Sequence, residues 1–197
     1  MEGLFIILVY LTKEILMMII SIQPTLENEQ IKLIPLTNHD FEGLFHVASD
    51  PEIWMQHPNR DRWKREIFQT FFDDAINGKG AFKIIDHSTG EIAGSTRFYD
   101  YNKEDNSIFI GYTFFATKYW GTGINPVVKK LMMDYIFQQV DKVYFHVGST
   151  NLRSQIALTK IGAKKVAEQD SSKPGGPLNL KFIYEINKTE KQLRGPL

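Results

Sequence analysis

The run Lys118-Tyr119-Trp120-Gly121-Thr122-Gly123 places a cation and two glycines directly in front of an amphipathic stretch. An aromatic, apolar run from Ile108 to Phe115 precedes it. After it, apolar side chains recur at Ile124, Val127, Val128, Leu131, Met132, Tyr135 and Ile136, the pattern of a one-sided helix. The glycines therefore fall where a strand gives way to a helix. At such a junction unpaired backbone N–H groups and the helix dipole favour an anion, a phosphate above all. Asn125 and Pro126 suit a helix's first turn. Pro126 has no N–H, so phosphate-facing donors would have to come from Trp120 to Asn125. A plain turn has the same composition, and on this segment alone both readings stand. Two commoner phosphate motifs are excluded. No Gly-x-x-x-x-Gly-Lys-Ser/Thr occurs, and Pro126 stands where a dinucleotide fingerprint requires a third glycine.

Other chemistries are narrowed by what the chain lacks. It has no cysteine, which removes disulfides, thiolate metal sites and a cysteine nucleophile, and is compatible with a reducing cytoplasm. His39, His46, His57, His87 and His146 show no metal-ligand spacing, so no metal is expected. Lys plus Arg balance Asp plus Glu at 23 each, which gives no basic excess for a nucleic-acid partner.

The elements that must position the loop read as one mixed α/β domain over roughly residues 31–188 in a chain of 197. Ile31 to Leu36 is strand-like. Asn38 to Ala48 and Arg62 to Ile76 carry helical patterns, the second closed by Asn77-Gly78. Phe82 to Ile85 and Ile92 to Phe98 flank a hairpin turn at Asp86 to Gly90, and Ile108 to Phe115 follows the polar turn Asn102 to Asn106. Beyond the helix from Ile124 come a strand at Val143 to Val147, a helix at Asn151 to Ile161 closed by Gly162, and strands at Lys164 to Ala167 and Leu180 to Ile186. A crossover helix between the Ile108 and Val143 strands predicts a parallel pair in an otherwise mostly antiparallel sheet. Residues 1–30 form an apolar extension and 189–197 a tail. Gly3 to Tyr10 and Ile15 to Ile20 are apolar, but Lys13 and Glu14 between them make a spanning helix costly. The leading explanation is a start codon at Met17 or Met18. A packing or membrane-touching helix comes next and a transmembrane anchor last.

Two marks together resemble a family. Lys118 to Gly123 is similar to the Arg/Gln-x-x-Gly-x-Gly/Ala loop of the Gcn5-related N-acetyltransferases, with Lys in the first position. Asn151, Ser154, Lys160 and Gly162 match the family's second mark, and the order of elements is the family's order over about 155 residues. Tyr119-Trp120-Gly121 and Asn151 with Ser154 look most like the ribosomal-protein N-terminal acetyltransferase branch. Another branch keeps a tyrosine as general acid where this chain has Leu158, so that role does not transfer.

The resemblance implies an acyl-CoA acyltransferase fold and direct acetyl transfer from acetyl-CoA, as co-substrate, to a primary amine. That amine is a protein N-terminus or a small molecule; a non-catalytic acyl-CoA-binding module is the alternative. A homodimer is an open option, while neither membrane nor nucleic acid is an expected partner. Amides of Trp120, Gly121, Thr122, Gly123 and Ile124 would hold the pyrophosphate, with Lys118, Tyr119 and Asn125 in the same loop. The backbone of Phe114 and Phe115 would pair with the pantetheine arm, and a backbone N–H there would face the thioester oxygen. Asn151 and Ser154 would contact the arm from the other side. Relatives often carry a glutamate base where this chain has Phe109. His146, which alternation places beside Tyr144 and opposite Val143, Phe145 and Val147, is the first substitute, and Asp100 a weaker one. A hydrogen-bonded strand histidine and a turn aspartate are the commoner readings of these two residues, and a water chain without a dedicated base is a further alternative. Trp54, His57, Arg60 and Trp63 are candidates to line the acceptor site, near the loop from Asp170 to Pro177.

Overall fold

The computed structural model describes residues 21–170, 172 and 180–189. The apolar run before Ser21 and, apart from Asp170 and Ser172, the loop to Pro177 lie outside them. Eight strands form a single sheet in the order β1-β2-β3-β4-β5-β6-β8-β7. They are β1 (Leu26–Glu27), β2 (Ile31–Pro35), β3 (Ala81–Asp86), β4 (Ile92–Asn102), β5 (Ser107–Phe115), β6 (Lys142–Gly148), β7 (Lys164–Asp170) and β8 (Leu180–Asn187). Neighbours run antiparallel except β5 and β6, the expected parallel pair. The helices are α1 (Phe41–Ala48), α2 (Arg65–Asn77), α3 (Ile124–Ile136) and α4 (Leu152–Lys160).

Successive strand residues point to opposite faces, and each face has its own core. Val128, Met132, Met133 and Ile136 of α3 pack on Phe82, Ile108, Ile110, Phe115 and Phe145. On the other face Phe68, Phe71 and Phe72 of α2 pack with Leu44, Trp54 and Phe114. Phe114 and Phe115 thus enter different cores, as alternation requires.

Several boundaries differ from the sequence pattern. The helix expected from Arg62 begins at Arg65, because Asp61 to Lys64 closes a turn (Lys64 N–H to Asp61 C=O, 2.9 Å) and Lys64 is extended. β4 continues past Phe98 to Asn102, and the strand from Lys164 continues to Asp170. β8 inserts between β6 and β7, an order set by tertiary pairing that no local pattern encodes.

The β4–β5 ladder carries an irregularity. Tyr112 and Thr113 of β5 together oppose only Thr96 of β4, since pairing runs Ser95 to Phe114 and then Arg97 to Gly111. That is a β-bulge, and Tyr112 takes a φ of 52° to form it. Around this bulge β5 is not paired with β6. Their ladder ends at Phe109 and Tyr144, whereas β5 stays paired with β4 to Phe115 and β6 with β8 to Gly148. The sheet is therefore open between residues 110–115 and 145–148. Gly94 holds the β4 side of this arrangement. A Cβ there would lie 1.9 Å from the Phe114 carbonyl oxygen, so no larger residue fits without moving β5.

Candidate active site

The glycine loop sits at the mouth of the opening. Gly121 and Gly123 adopt φ of 75° and 89°, which L side chains rarely take. Gly123 caps α3 from the left-handed region. The turn uses some of its own amides. Trp120 N–H donates to Thr117 C=O (3.0 Å), Thr122 N–H to Tyr119 C=O (3.4 Å), and Ile124 N–H to Thr122 Oγ1 (3.4 Å). Among the described residues, the N–H groups of Gly121, Gly123 and Asn125 have no protein acceptor. The donors left for an anion are thus fewer than the Trp120 to Asn125 run named from sequence. Asn125 Oδ1 is buried without a partner.

Lys118 turns outward to the Glu91 carboxylate, and Tyr119 Oη donates to Asp86 Oδ2 at 3.1 Å. Both residues tie the loop to the β3–β4 turn. A cavity of about 350 Å³ lies there, lined by Gln30, Asp86, Glu91, Lys118, Tyr119 and Thr122. Its two carboxylates make it a poor home for a pyrophosphate, and the sheet opening is the better candidate.

Asn151 caps α4, its Oδ1 accepting from Ser154 N–H at 3.1 Å. The first turn of α4 meets the glycine loop. The Arg153 guanidinium lies 3.9 Å from the Trp120 ring centre, and Trp120 Nε1 donates to Phe115 C=O at 3.3 Å. A Phe115–Trp120–Arg153 bridge thus spans the mouth. Phe115 turns its carbonyl toward the opening, whereas the Phe114 oxygen faces Gly94 on β4.

The proton-transfer candidates separate. His146 stacks on Phe109 at 4.3 Å between ring centres, and its Nδ1 meets Tyr99 Oη at 3.2 Å. Burial first, then Lys181, hold its pKa below the usual 6.5, with Asp100 pulling the other way. The ring is therefore neutral near pH 7. Tyr99 is itself pushed well above the usual tyrosine range, chiefly by burial, and keeps its proton. Asp100 is not in the expected turn but on β4, exposed at an irregularity in its pairing with β5, with a φ of 50°.

Of the acceptor-side candidates, Trp54 is buried packing and donates Nε1 to Ala48 C=O at 2.7 Å. His57 meets its ring edge to face, while Arg60 and Trp63 are exposed. Sequence reasoning passed over Arg62, Arg97, Tyr99 and Tyr112. No local pattern marked Arg97 as buried, since Gly94-Ser95-Thr96 precede it in β4. Among the described residues, no group of three His, Asp or Glu side chains could hold a metal, and no helix is long and apolar enough to cross a membrane.

A model of the family described as the acetyltransferase (GNAT) domain matches residues 30–164. The chain belongs to this family. Solved structures agree on the fold. A GCN5-related N-acetyltransferase from Brucella melitensis superposes with a TM-score of 0.75 at 18% identity, covering 86% of this chain and 83% of that one. A GNAT-family acetyltransferase from Bacillus anthracis gives 0.71 at 18%, covering 84% and 99%. The spermidine N-acetyltransferase of Vibrio cholerae, in complex with CoA and spermine, gives 0.66 at 15%, covering 84% and 99%.

Proposed function

We propose that this GNAT protein transfers acetyl from acetyl-CoA directly to a primary amine, with a protein N-terminus as the favoured acceptor. The observation that carries the reading is the opening between β5 and β6, with the unpaired amides of Gly121, Gly123 and Asn125 at its mouth. The pyrophosphate would accept from those amides at the start of α3, where the helix dipole adds to their attraction. The pantetheine arm would lie along the free edge of β5 beside Phe115, exchanging for the Trp120 indole at that carbonyl. Asn151 Oδ1 is committed to its helix, so its amide Nδ2 and Ser154 Oγ are what remain to meet the arm.

In the reaction the amine lone pair attacks the thioester carbonyl carbon and a C–N bond forms. The oxygen, now negative, takes a backbone N–H of the β5 edge. In the tautomer whose Nδ1–H donates to Tyr99 Oη, His146 Nε2 is free to accept the surplus amine proton. Collapse breaks the C–S bond, and the CoA thiolate leaves and takes up a proton. An α-amino group, with a pKa near ~8, is already partly neutral at pH 7, so a base as weak as a half-buried imidazole suffices. This supports the N-terminal acceptor, as does the likeness of Tyr119 to Gly121 and of Asn151 with Ser154 to the ribosomal-protein branch. The Phe109 ring fills the position where relatives carry a glutamate and forms the surface on which His146 stacks.

The test is free-thiol release on incubation with acetyl-CoA and a panel of amines and peptides. Amine-dependent release is expected. Binding of acetyl-CoA without release from any amine would identify an acyl-CoA-binding module instead.

A further inference from the structure

Arg62 and Arg97 both pack on Phe71 of α2, with Arg97 also over Tyr112 of the bulged strand, and each is only 8% exposed. Their guanidinium carbons lie 4.3 and 4.7 Å from the Phe71 ring centre; Arg97 also lies 4.0 Å over Tyr112, and Arg62 5.5 Å from the Trp54 ring. Burial first, and then the charge of Arg97, push the Arg62 pKa down to about 10. Such groups normally find a carboxylate. Among the described residues none lies within 4.0 Å of either. Asp74, exposed on α2, acts on both only from farther away.

Their hydrogen bonds do not fill the gap. Arg97 Nη2 donates to Phe71 C=O at 3.3 Å. Arg62 Nη1 faces His57 Nε2 at 3.1 Å, but Asn59 N–H faces the same ring's Nδ1 at 3.0 Å. Burial and then Arg62 push His57 down to about 3, so the ring is neutral. A neutral imidazole has one accepting nitrogen, so one of those two donors goes unserved. Lys181 of β8 adds a third positive charge, near enough to His57 and His146 to lower both. Only the exposed Asp100 opposes it at His146.

These groups connect to the reaction centre through aromatic contacts. His146 meets Tyr99, whose ring centre is 4.8 Å from that of Tyr112, and Tyr112 underlies Arg97. We infer that Arg62 and Arg97 form the anion-recognition subsite of the acceptor, which is an amine carrying a carboxylate a few bonds from its nitrogen. The inference rests on the acetyltransferase reading and narrows its substrate class. A carboxylate received there gains charge-assisted hydrogen bonds away from water, whereas a polycation meets three like charges. A free amino carboxylate and a peptide with an acidic N-terminal residue present the same chemistry.

The test measures kcat/KM by thiol release for matched pairs: γ-aminobutyrate and its amide, the dipeptide amides Glu-Ala and Gln-Ala, and spermidine. At least one carboxylate member is expected to exceed its neutral partner by roughly ten-fold or more, with spermidine poorest; which pair responds tells a free amino carboxylate from an acidic N-terminus. Arg97→Gln and Arg62→Gln should bring that ratio toward one while thermal melting and acetyl-CoA affinity show the variants folded. Spermidine or the neutral members reacting as well as the carboxylates would overturn the proposal, as would variants that slow every amine equally. If acetyl-CoA binds but no amine reacts, the transferase reading fails. Calorimetry of Glu-Ala amide and γ-aminobutyrate on the CoA-loaded protein then decides the subsite: binding lost in Arg97→Gln supports it, and no binding by wild type overturns it.

Discussion

At the scale of single residues, the account turns on His146. Its pKa is depressed by burial and Lys181, so the neutral, proton-accepting form persists below pH 6.5. Activity that needs this base is present above the folded-state pKa and lost as pH falls through it, which places the acid limb of kcat/KM below pH 6.5. His146→Gln should lower kcat by roughly 10²-fold and abolish that limb; an unchanged pH profile would remove His146 from the mechanism. His146 was legible in the sequence because alternation in β6 set it apart from Val143, Phe145 and Val147. Its partner Tyr99 was not, since the contact joins strands 47 positions apart. Arg62 and Arg97 escaped for the same reason. Each reads locally as a solvated charge, and only the packing of α2 on the bulged strand buries them.

At the scale of elements, the glycine loop and α3 carry two further expectations. A Cβ at Gly123 would meet nothing within 4 Å, so the cost of Gly123→Val is its backbone, with φ at 89°. About 1–2 kcal/mol of stability should be lost, along with at least roughly ten-fold in acetyl-CoA affinity through displaced amides; calorimetric titration and a thermal melt separate the two. Lys129 of α3 is a buried cation whose Nζ donates to Thr113 Oγ1 at 2.6 Å, and burial pushes its pKa down to about 7. The unfolded chain holds that proton up to about pH 10.4, so between the two values the unfolded state binds more protons and stability rises with pH. The destabilising effect is fully present below pH 7 and gone above the unfolded value. Lys129→Met should therefore stabilise by an amount on the order of a few kcal/mol at neutral pH and flatten the alkaline rise; equal melts for the two proteins from pH 7 to 10 would contradict this. The helix itself was read from Ile124 to Ile136 by its apolar period. The bulge at Tyr112 was invisible, because nothing in Gly111-Tyr112-Thr113 announces a left-handed tyrosine. In the proposed function, the opening beside it is where the loop meets the cofactor.

At the scale of the whole molecule, the order of elements and the parallel pair were legible from alternating periodicities and the crossover helix. The placement of β8 between β6 and β7 was not, being a choice among pairings that only the assembled sheet makes. The proposed donor side is built from the β5 edge, the glycine loop and Asn151, and the proposed acceptor side is walled by α2, His146 and the two arginines. Their meeting in one opening is the claim that matters most. It is tested most directly with acetyl-CoA labelled in its acetyl group, followed by locating the label after reaction with a carboxylate-bearing amine. Direct transfer predicts the label in an amide on the amine nitrogen, one for each thiol released. Label recovered as free acetate, or no thiol release from any amine while acetyl-CoA is bound, would contradict the account.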